Sequence, residues 1–356
     1  MKICIVLPGY TRQPIGGFRI IYQYANQLCK RGNNVYLYCL NECIMEKYSI
    51  PKFAKRVFAN ILTQKEPSWF PLDKKIIKLS HTCVKDRKNI KDIDIVIATS
   101  VDSVESTVKI FNYVPKVYFI QGFENWCKGD EYCYKTYNMG LKNVVVSSWL
   151  EEIVKNHSTS KPILLRNPID LNQYCVINPV EKRDIHTIGL LYHTMPTKGV
   201  EYALKVIWRI KELYPDLIVY MFGVPKRPDE FPEWIRYTQC ATIEQTTLIY
   251  NKVNVWLCAS IDEGFGLTGL EAMACGAALV STSYAGVLEY AENGYNALLS
   301  PVKDVTALEK NVIELFENNK KRIELVQNGL KSVTALSIDN AVKQLELLLI
   351  ELLEKE

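Results

Sequence analysis

Two carboxylates eight positions apart, Glu263 and Glu271, bracket a glycine-bearing turn in the stretch LCASIDEGFGLTGLEAMACGAALVST, which runs from Leu257 to Thr282. The elements around the turn decide what chemistry is open to them. Val255 to Cys258 reads as an apolar strand, about Thr268 to Ala274 as a helix, and Ala278 to Ser281 as a second buried strand. The first N–H groups of such a helix have no partner within it and point into the preceding loop, where an anion such as a phosphate can settle. Gly264 and Gly266 let the backbone come close. A carboxylate beside a phosphate is repelled by it, so its favourable partners are hydroxyl groups, which a ribose and a sugar ring supply. The pattern suggests a sugar nucleotide, with phosphates at the helix start and one ring at each glutamate. The alternative is a helix whose acidic residues complement its own dipole, worth about 0.3–1 kcal/mol each. That accounts for Glu271 and leaves the two loop glycines unexplained.

Glu263, seven intervening residues and Glu271, in the phrase EGFGLTGLEAMACG, resemble the signature of the retaining glycosyltransferases of family 4. The resemblance extends over nearly the whole chain. It implies an α/β chain of the GT-B fold: two Rossmann-like domains facing each other across a cleft, with a C-terminal helix crossing back to the first. The expected divisions are residues 1–171 for an acceptor-binding domain, 172–336 for a nucleotide-sugar-binding domain and 337–356 for the crossing helix.

The resemblance also distributes roles. Glu263 would hold the donor sugar and Glu271 the ribose, with Gly264, Phe265, Gly266, Leu267 and Thr268 forming the donor turn between them. Lys198 and Gly199 match the family's Lys-Gly pair, in which the ammonium neutralises the departing diphosphate; Glu263 and Lys198 are the catalytic candidates. A charge-assisted bond of about 1.5–3 kcal/mol is at stake. Relatives usually carry an arginine some six residues before the lysine, whereas this chain has Tyr192 and His193, so one expected cation is missing. His193 is retained as a donor-site candidate, as is Gly223, near the base. In the first domain, Gly16 and Gly17 resemble the family's glycine pair, placing Gly17 by the donor phosphate and Gly16 by the acceptor. Two glycines making a tight turn is an equally good reading. Arg19, Gln121 and Asn167 complete the acceptor candidates. Gln121 stands where many relatives have a histidine, and glutamine can donate and accept hydrogen bonds without a titratable proton. Together with GGFRIIYQYANQL it resembles a branch that includes bacterial rhamnosyltransferases.

The bulk properties allow this. A chain of 356 residues suits about two domains, and 48% hydrophobic with 23% charged residues excludes disorder over any large part. The net charge of +4 is too small to imply nucleic acid. The 11 cysteines are odd in number and irregularly spaced, without a CxxC pair, so they read as small core residues. Four scattered histidines make a zinc site improbable, and the resemblance implies neither a metal nor a cofactor. MKICIVLPGY runs straight into a strand, without a cleavage site, and no apolar run has the length of a membrane span. A cytoplasmic protein is expected, with residence at the inner face of the membrane open.

The elements follow an alternating order. Strands are expected at Lys2–Pro8, Val35–Leu40, Ile93–Ala98, Lys116–Ile120 and Asn143–Ser147, with helices at Phe18–Arg31 and Asp102–Phe111 and another that Ser148 caps. Ile44 to Ile90 is irregular and basic. Within it Phe53, Val57 and Ile61, with Phe58 and Leu62, recur at helical spacing beside Lys52, Lys55, Arg56 and Lys65. A helix lying on an anionic membrane and a core-facing helix with a solvated face both fit, and the second is preferred. The polar stretch Leu171–Asp184 reads as a linker, with a boundary near Asn172. Beyond it come strands at Thr187–Leu191 and Leu217–Phe222, helices at Val200–Leu213 and Ile243–Asn251, and three closing helices. The leucines at 345, 348, 349 and 352 line the last of these, for packing on the first domain or for a coiled-coil dimer.

The expected function is sugar transfer from a UDP, dTDP or GDP sugar to a saccharide or lipid-linked acceptor in building a cell-surface polysaccharide. Two rivals stay open: a nucleotide-sugar epimerase, against which the few histidines count, and a noncatalytic partner subunit, which the absent arginine and histidine favour. A dinucleotide-dependent dehydrogenase is disfavoured, because no GxGxxG follows the first strand.

Overall fold

The structure, a computed structural model, describes residues 1–41, 49, 51–126 and 128–355. Residues 44–48 and 50 of the irregular basic stretch lie outside them. The chain divides into two compact units, Met1–Arg166 with Asp339–Glu356, and Asn167–Ile338.

The first unit is built on a seven-stranded sheet ordered β3-β2-β1-β4-β5-β6-β7. Its strands are β1 (Lys2–Leu7), β2 (Asn34–Cys39), β3 (Ile77–Ser80), β4 (Ile95–Ala98), β5 (Lys116–Ile120), β6 (Lys142–Val145) and β7 (Ile163–Leu164). All pairs are parallel. Helices cover both faces of such a sheet, so its central strands are near-continuous apolar runs; Ile3 to Leu7 and Ile95 to Ala98 are fully buried. The final helix, Ile338–Glu354, lies almost wholly in this unit. Leu345 and Leu349 are buried, and Glu346 accepts hydrogen bonds from Arg31 at 3.4 Å and Asn33 at 2.7 Å.

The second unit carries a six-stranded parallel sheet ordered β10-β9-β8-β11-β12-β13. Its strands are β8 (Thr187–Tyr192), β9 (Ile218–Gly223), β10 (Ile235–Gln239), β11 (Val255–Cys258), β12 (Ala278–Thr282) and β13 (Ala297–Ser300). Within this unit the incoming and outgoing chain are paired, Ile169 N–H to Leu336 O at 2.7 Å and Ile338 N–H to Ile169 O at 2.9 Å.

Each sheet reverses its strand order once, between β1 and β4 in the first and between β8 and β11 in the second. Loops leaving the carboxyl ends of the two strands at such a point part in opposite directions and leave a crevice, where open α/β sheets bind ligands.

Several expectations are corrected. Ser147, not Ser148, is the residue preceding the helix Ser148–His157. Residues 171–184 are not a loose linker: the Arg183 guanidinium, 5% exposed, donates to the carbonyls of Asn178, Val253 and Cys275 and pins the stretch into the second unit. The unit boundary accordingly falls at Arg166–Asn167, ahead of Asn172. The helix Lys52–Lys65 is not core-facing over most of its length, since Phe53, Val57, Phe58 and Ile61 are exposed, and only Ala59, Leu62 and Thr63 are buried.

Candidate functional site

The loops at the reversal point of the second sheet carry the residues singled out for donor chemistry. After β8 the chain makes one short turn, Pro196–Lys198, and then Gly199 begins the helix Val200–Leu213. Gly199 has φ 58°, and a Cβ there would lie 1.9 Å from the Ala259 carbonyl oxygen, so glycine is required both by its backbone angle and by contact with the loop after β11. Thr197 O also accepts the Ile261 N–H at 2.7 Å. The two loops are thereby sewn together, which brings Lys198 Nζ within 2.8 Å of Glu263 Oε2. Both side chains are only partly open to water, Lys198 being 24% and Glu263 12% exposed.

Sequence reasoning missed how Glu263 is held. Ser260 Oγ donates to Glu263 Oε1 while Thr282 Oγ1 donates to Ser260 O, so the carboxylate has one oxygen on a hydroxyl and the other on an ammonium. Its neighbour Asp262 is pushed up from the usual carboxylate range by burial and by the charge of Glu263. A cavity lined by Lys198, Ser260, Glu263 and Thr268 opens between the loops, with Leu190 and Trp256 behind.

The turn ahead of the helix Leu267–Ala274 is shaped by close packing. Gly266 has φ 88°, and a Cβ there would meet Tyr284 Oη at 1.9 Å. Tyr290 Oη donates to Gly266 O at 2.6 Å, and the ring of Phe265 packs on Tyr290, with centroids 5.5 Å apart. These two tyrosines, which nothing in the sequence pattern flags, hold the backbone of residues 263–266 from behind. Leu267 and Thr268 open the helix, so the first N–H groups lie beside Glu263 in sequence and in space.

Glu271 lies deeper. It is 3% exposed, and Tyr250 Oη donates to its Oε2 at 2.8 Å. Tyr250 is itself fixed edge-on against Trp256, with centroids 4.7 Å apart. Gly223 ends β9, where a Cβ would clash with Tyr192 O at 2.2 Å. His193 does not replace the missing arginine. Its Nδ1 accepts the Met195 N–H at 3.0 Å, and burial together with the neighbouring Lys198 holds the ring below the ordinary imidazole range, so it is neutral at neutral pH.

The remaining candidates belong to the first unit, except Asn167. Gly16 and Gly17 are the first residues of the helix Gly16–Lys30, and Arg19 lies one turn on. The Gln121 side chain lies over Gly17, its Nε2 3.4 Å from where a Cβ would stand, an ordinary van der Waals contact. Gln121 Oε1 is buried without a hydrogen-bond partner. Asn167 is the first residue of the second unit, 3% exposed, with its Oδ1 also unpartnered. Arg166, a possible substitute cation by position, donates to Ser148 Oγ at 3.3 Å within the first unit.

Residues 181–332 match the family described as Glycosyl transferases group 1. An uncharacterized glycosyltransferase of Methanocaldococcus jannaschii is 23% identical over 197 residues, 53% of either chain. An N,N'-diacetylbacillosaminyl-diphospho-undecaprenol alpha-1,3-N-acetylgalactosaminyltransferase of Campylobacter jejuni is 33% identical over 76 residues, 21% of this chain and 20% of that one. The chain thus spans about half the length, or less, of these curated relatives. Among solved structures, Anabaena HepE in complex with UDP-glucose superposes with a TM-score of 0.75 at 14% identity, over 100% of both chains. At that identity the likeness speaks for the fold. Residues 181–332 are therefore a glycosyl transferase group 1 domain, borne by a chain whose two parallel-sheet Rossmann-like units have the GT-B fold.

Proposed function

We propose that the chain is a retaining glycosyltransferase, moving a sugar from a nucleoside diphosphate donor to a hydroxyl of a saccharide or lipid-linked acceptor in cell-surface polysaccharide synthesis. The observation that carries the proposal is the meeting of Lys198, Glu263 and the start of the helix Leu267–Ala274 at the strand-order reversal of the second sheet. A leaving diphosphate needs fixed positive charge. Lys198 and the helix N–H groups supply it without a metal ion or cofactor. Glu263 is preset by Ser260 to accept hydroxyls of the donor sugar, and Glu271, held by Tyr250, to serve the ribose. Gly264 to Thr268 form the donor turn, with His193 as a neutral hydrogen-bonding group, Gly17 near the phosphates and Gly223 towards the base. Gly16, Arg19, Gln121 and Asn167 serve the acceptor. The departing phosphate takes the acceptor's proton on the front face, so no separate protein base is needed.

The name of the Campylobacter relative, an undecaprenol-linked sugar transferase, supports a lipid-linked acceptor, and the HepE complex supports UDP as the nucleotide. Contact with the inner face of the membrane is part of the proposal. It is supported by the helix Lys52–Lys65, where Phe53, Val57 and Ile61 stand exposed beside Lys52, Arg56 and Lys65. Among the described residues no helix is long and apolar enough to cross a membrane.

The test is thermal stabilisation by UDP, dTDP and GDP sugars, followed by transfer from the radiolabelled donor that stabilises best. A ligand at 100 times its dissociation constant adds about 2.7 kcal/mol. Stabilisation that persists in Lys198→Ala would sink the site assignment. Stabilisation without transfer to any saccharide or lipid-linked acceptor would favour a noncatalytic subunit.

A further inference from the structure

The carboxyl ends of β12 and β13 frame an open cavity of about 590 Å³, within the roughly 300–1,000 Å³ of small-molecule sites. Ser283 and Pro301 follow the two strands, and Leu288, Ala291, Glu292 and Asn293 come from the segment that joins them. The donor candidates stand elsewhere, on the loops after β8, β9 and β11. The short helical turn Ala285–Glu289 touches both places. At Gly286 it is pressed on the donor turn, since a Cβ there would lie 2.5 Å from Glu263 O and 2.8 Å from Phe265 N. Two residues on, Leu288 lines the cavity and is 58% exposed.

Three polar groups of the lining keep hydrogen-bonding capacity in reserve. Glu292 is held by its backbone, whose N–H donates to Asn296 Oδ1 at 2.7 Å, and its carboxylate, at the surface, has no partner among the described residues. Asn293 Oδ1 accepts the Leu299 N–H at 2.9 Å, which fixes the amide and leaves both hydrogens of Nδ2 without a partner among the described residues. The Ser283 N–H donates to Ser300 O at 2.8 Å, and its hydroxyl is likewise unengaged. Leu288, Ala291, Leu299 and Pro301 supply the apolar wall. This set selects among ligands. An anion would meet the carboxylate, and a cation the amide hydrogens. A neutral ligand bearing hydroxyls can donate to Glu292 and accept from Asn293 and Ser283 at once, and a sugar ring adds an apolar C–H face for the aliphatic wall.

We propose that this cavity is a saccharide-binding site of the second unit, in which Glu292 accepts ring hydroxyls, Asn293 Nδ2 and Ser283 donate to the sugar's oxygens, and Leu288, Leu299 and Pro301 cover one face of the ring. The site shares no residue with the donor turn or with the acceptor candidates, and it stands whether or not the chain transfers a sugar. In a glycosyltransferase it would hold a unit of the carbohydrate other than the two that react.

The lining carries its own reporters, because Leu288, Ala291 and Leu299 bear methyl groups that can be isotope-labelled and followed by NMR in the full chain. The probes are the methyl glycosides of glucose, mannose, rhamnose and N-acetylglucosamine, with inorganic phosphate and tetramethylammonium as the anion and the cation. At least one glycoside should shift the three sets of methyl signals together and saturably, at millimolar concentration, while phosphate and tetramethylammonium leave them in place. In Glu292→Ala, a surface substitution whose folding is checked on the remaining methyl signals, the same shifts should need about tenfold more glycoside or beyond, the scale of one lost hydrogen bond to a charged group. Signals that no glycoside moves, shifts reproduced by either ion, or equal affinity in Glu292→Ala each overturn the site. UDP added to the same samples reports on the donor turn separately, so its failure to bind condemns the donor assignment and leaves the glycoside result to decide this one.

Discussion

The ion pair between Lys198 and Glu263 makes opposing predictions for nucleotide binding and for turnover. Without ligand the ammonium is engaged 2.8 Å from Oε2, and a diphosphate must compete with that carboxylate for it. Two unit charges 4 Å apart interact by about 4 kcal/mol at an effective dielectric near 20, and desolvation takes back much of that for side chains as enclosed as these. Glu263→Gln is nearly isosteric, can still hydrogen-bond to Ser260, removes the competitor and removes repulsion of the incoming phosphates. A net gain of about 1–2 kcal/mol is expected, so UDP alone should bind roughly 5–30-fold more tightly to the variant. Transfer should instead fall by about 100-fold or more, because in the proposed mechanism Glu263 is the charged anchor for the sugar hydroxyls in the transition state. Isothermal titration with UDP, beside initial rates with the sugar nucleotide, reads both quantities on one preparation. UDP affinity in Glu263→Gln equal to or weaker than wild type would refute the competition, whatever the rate does. Lys198→Ala supplies the opposite sign: both affinity and rate should fall, affinity by about 1.5–3 kcal/mol.

Further consequences follow from single contacts. Gly199→Ala places a Cβ on the Ala259 carbonyl at a left-handed backbone position and should cost about 3 kcal/mol or more, read as a fall of roughly 6–12 °C in the melting temperature of the second unit. Tyr250→Phe leaves Glu271 Oε2 without its hydroxyl donor; it should lose about 1–3 kcal/mol of stability and weaken UDP binding, whereas an unchanged UDP affinity would separate Glu271 from the nucleotide. Burial pushes the Glu124 carboxyl up to about 7 in the folded state, so from the ordinary carboxylate range up to that pH the native state binds more protons than the unfolded chain, and wild-type stability falls as pH rises through that window. Glu124→Gln removes the titrating group, and its melting temperature relative to wild type should climb from pH 5 to pH 8; parallel profiles would show that the carboxyl is not perturbed.

Much of the fold was legible because each interior element carries its own signal. Buried parallel strands such as β1, β4, β5, β11 and β12 are short apolar runs, and the helices between them show one apolar face. Four strands that were not anticipated, β3, β7, β10 and β13, are edge strands, paired on one side; IRYTQ and IKLS have too little apolar content to announce themselves, and β7 and β13 are only two and four residues long. The helix Lys52–Lys65 misled for the converse reason, since periodicity marks an apolar face and does not say what covers it.

The candidate site divides in the same way. The residues between Glu263 and Thr268 are local: a turn into a helix start, with glycines where the backbone must come close, is written in adjacent positions. That Lys198 meets Glu263 is not local, because it depends on β8 and β11 being neighbours and on Gly199 fitting under the Ala259 carbonyl. The supports Ser260, Tyr250, Tyr284 and Tyr290 are ordinary polar and aromatic residues in sequence, and acquire meaning through hydrogen bonds to groups 3 to 26 positions away. Likewise the chain alone told that a cation was absent before Lys198, but only the folded loop decided that His193 cannot stand in for it, because the Met195 N–H occupies the nitrogen that would have to take the proton. Composition and periodicity act between near neighbours and so survive in the order of residues; contact between loops arises from the order of strands in the sheet, which no single stretch of the chain encodes.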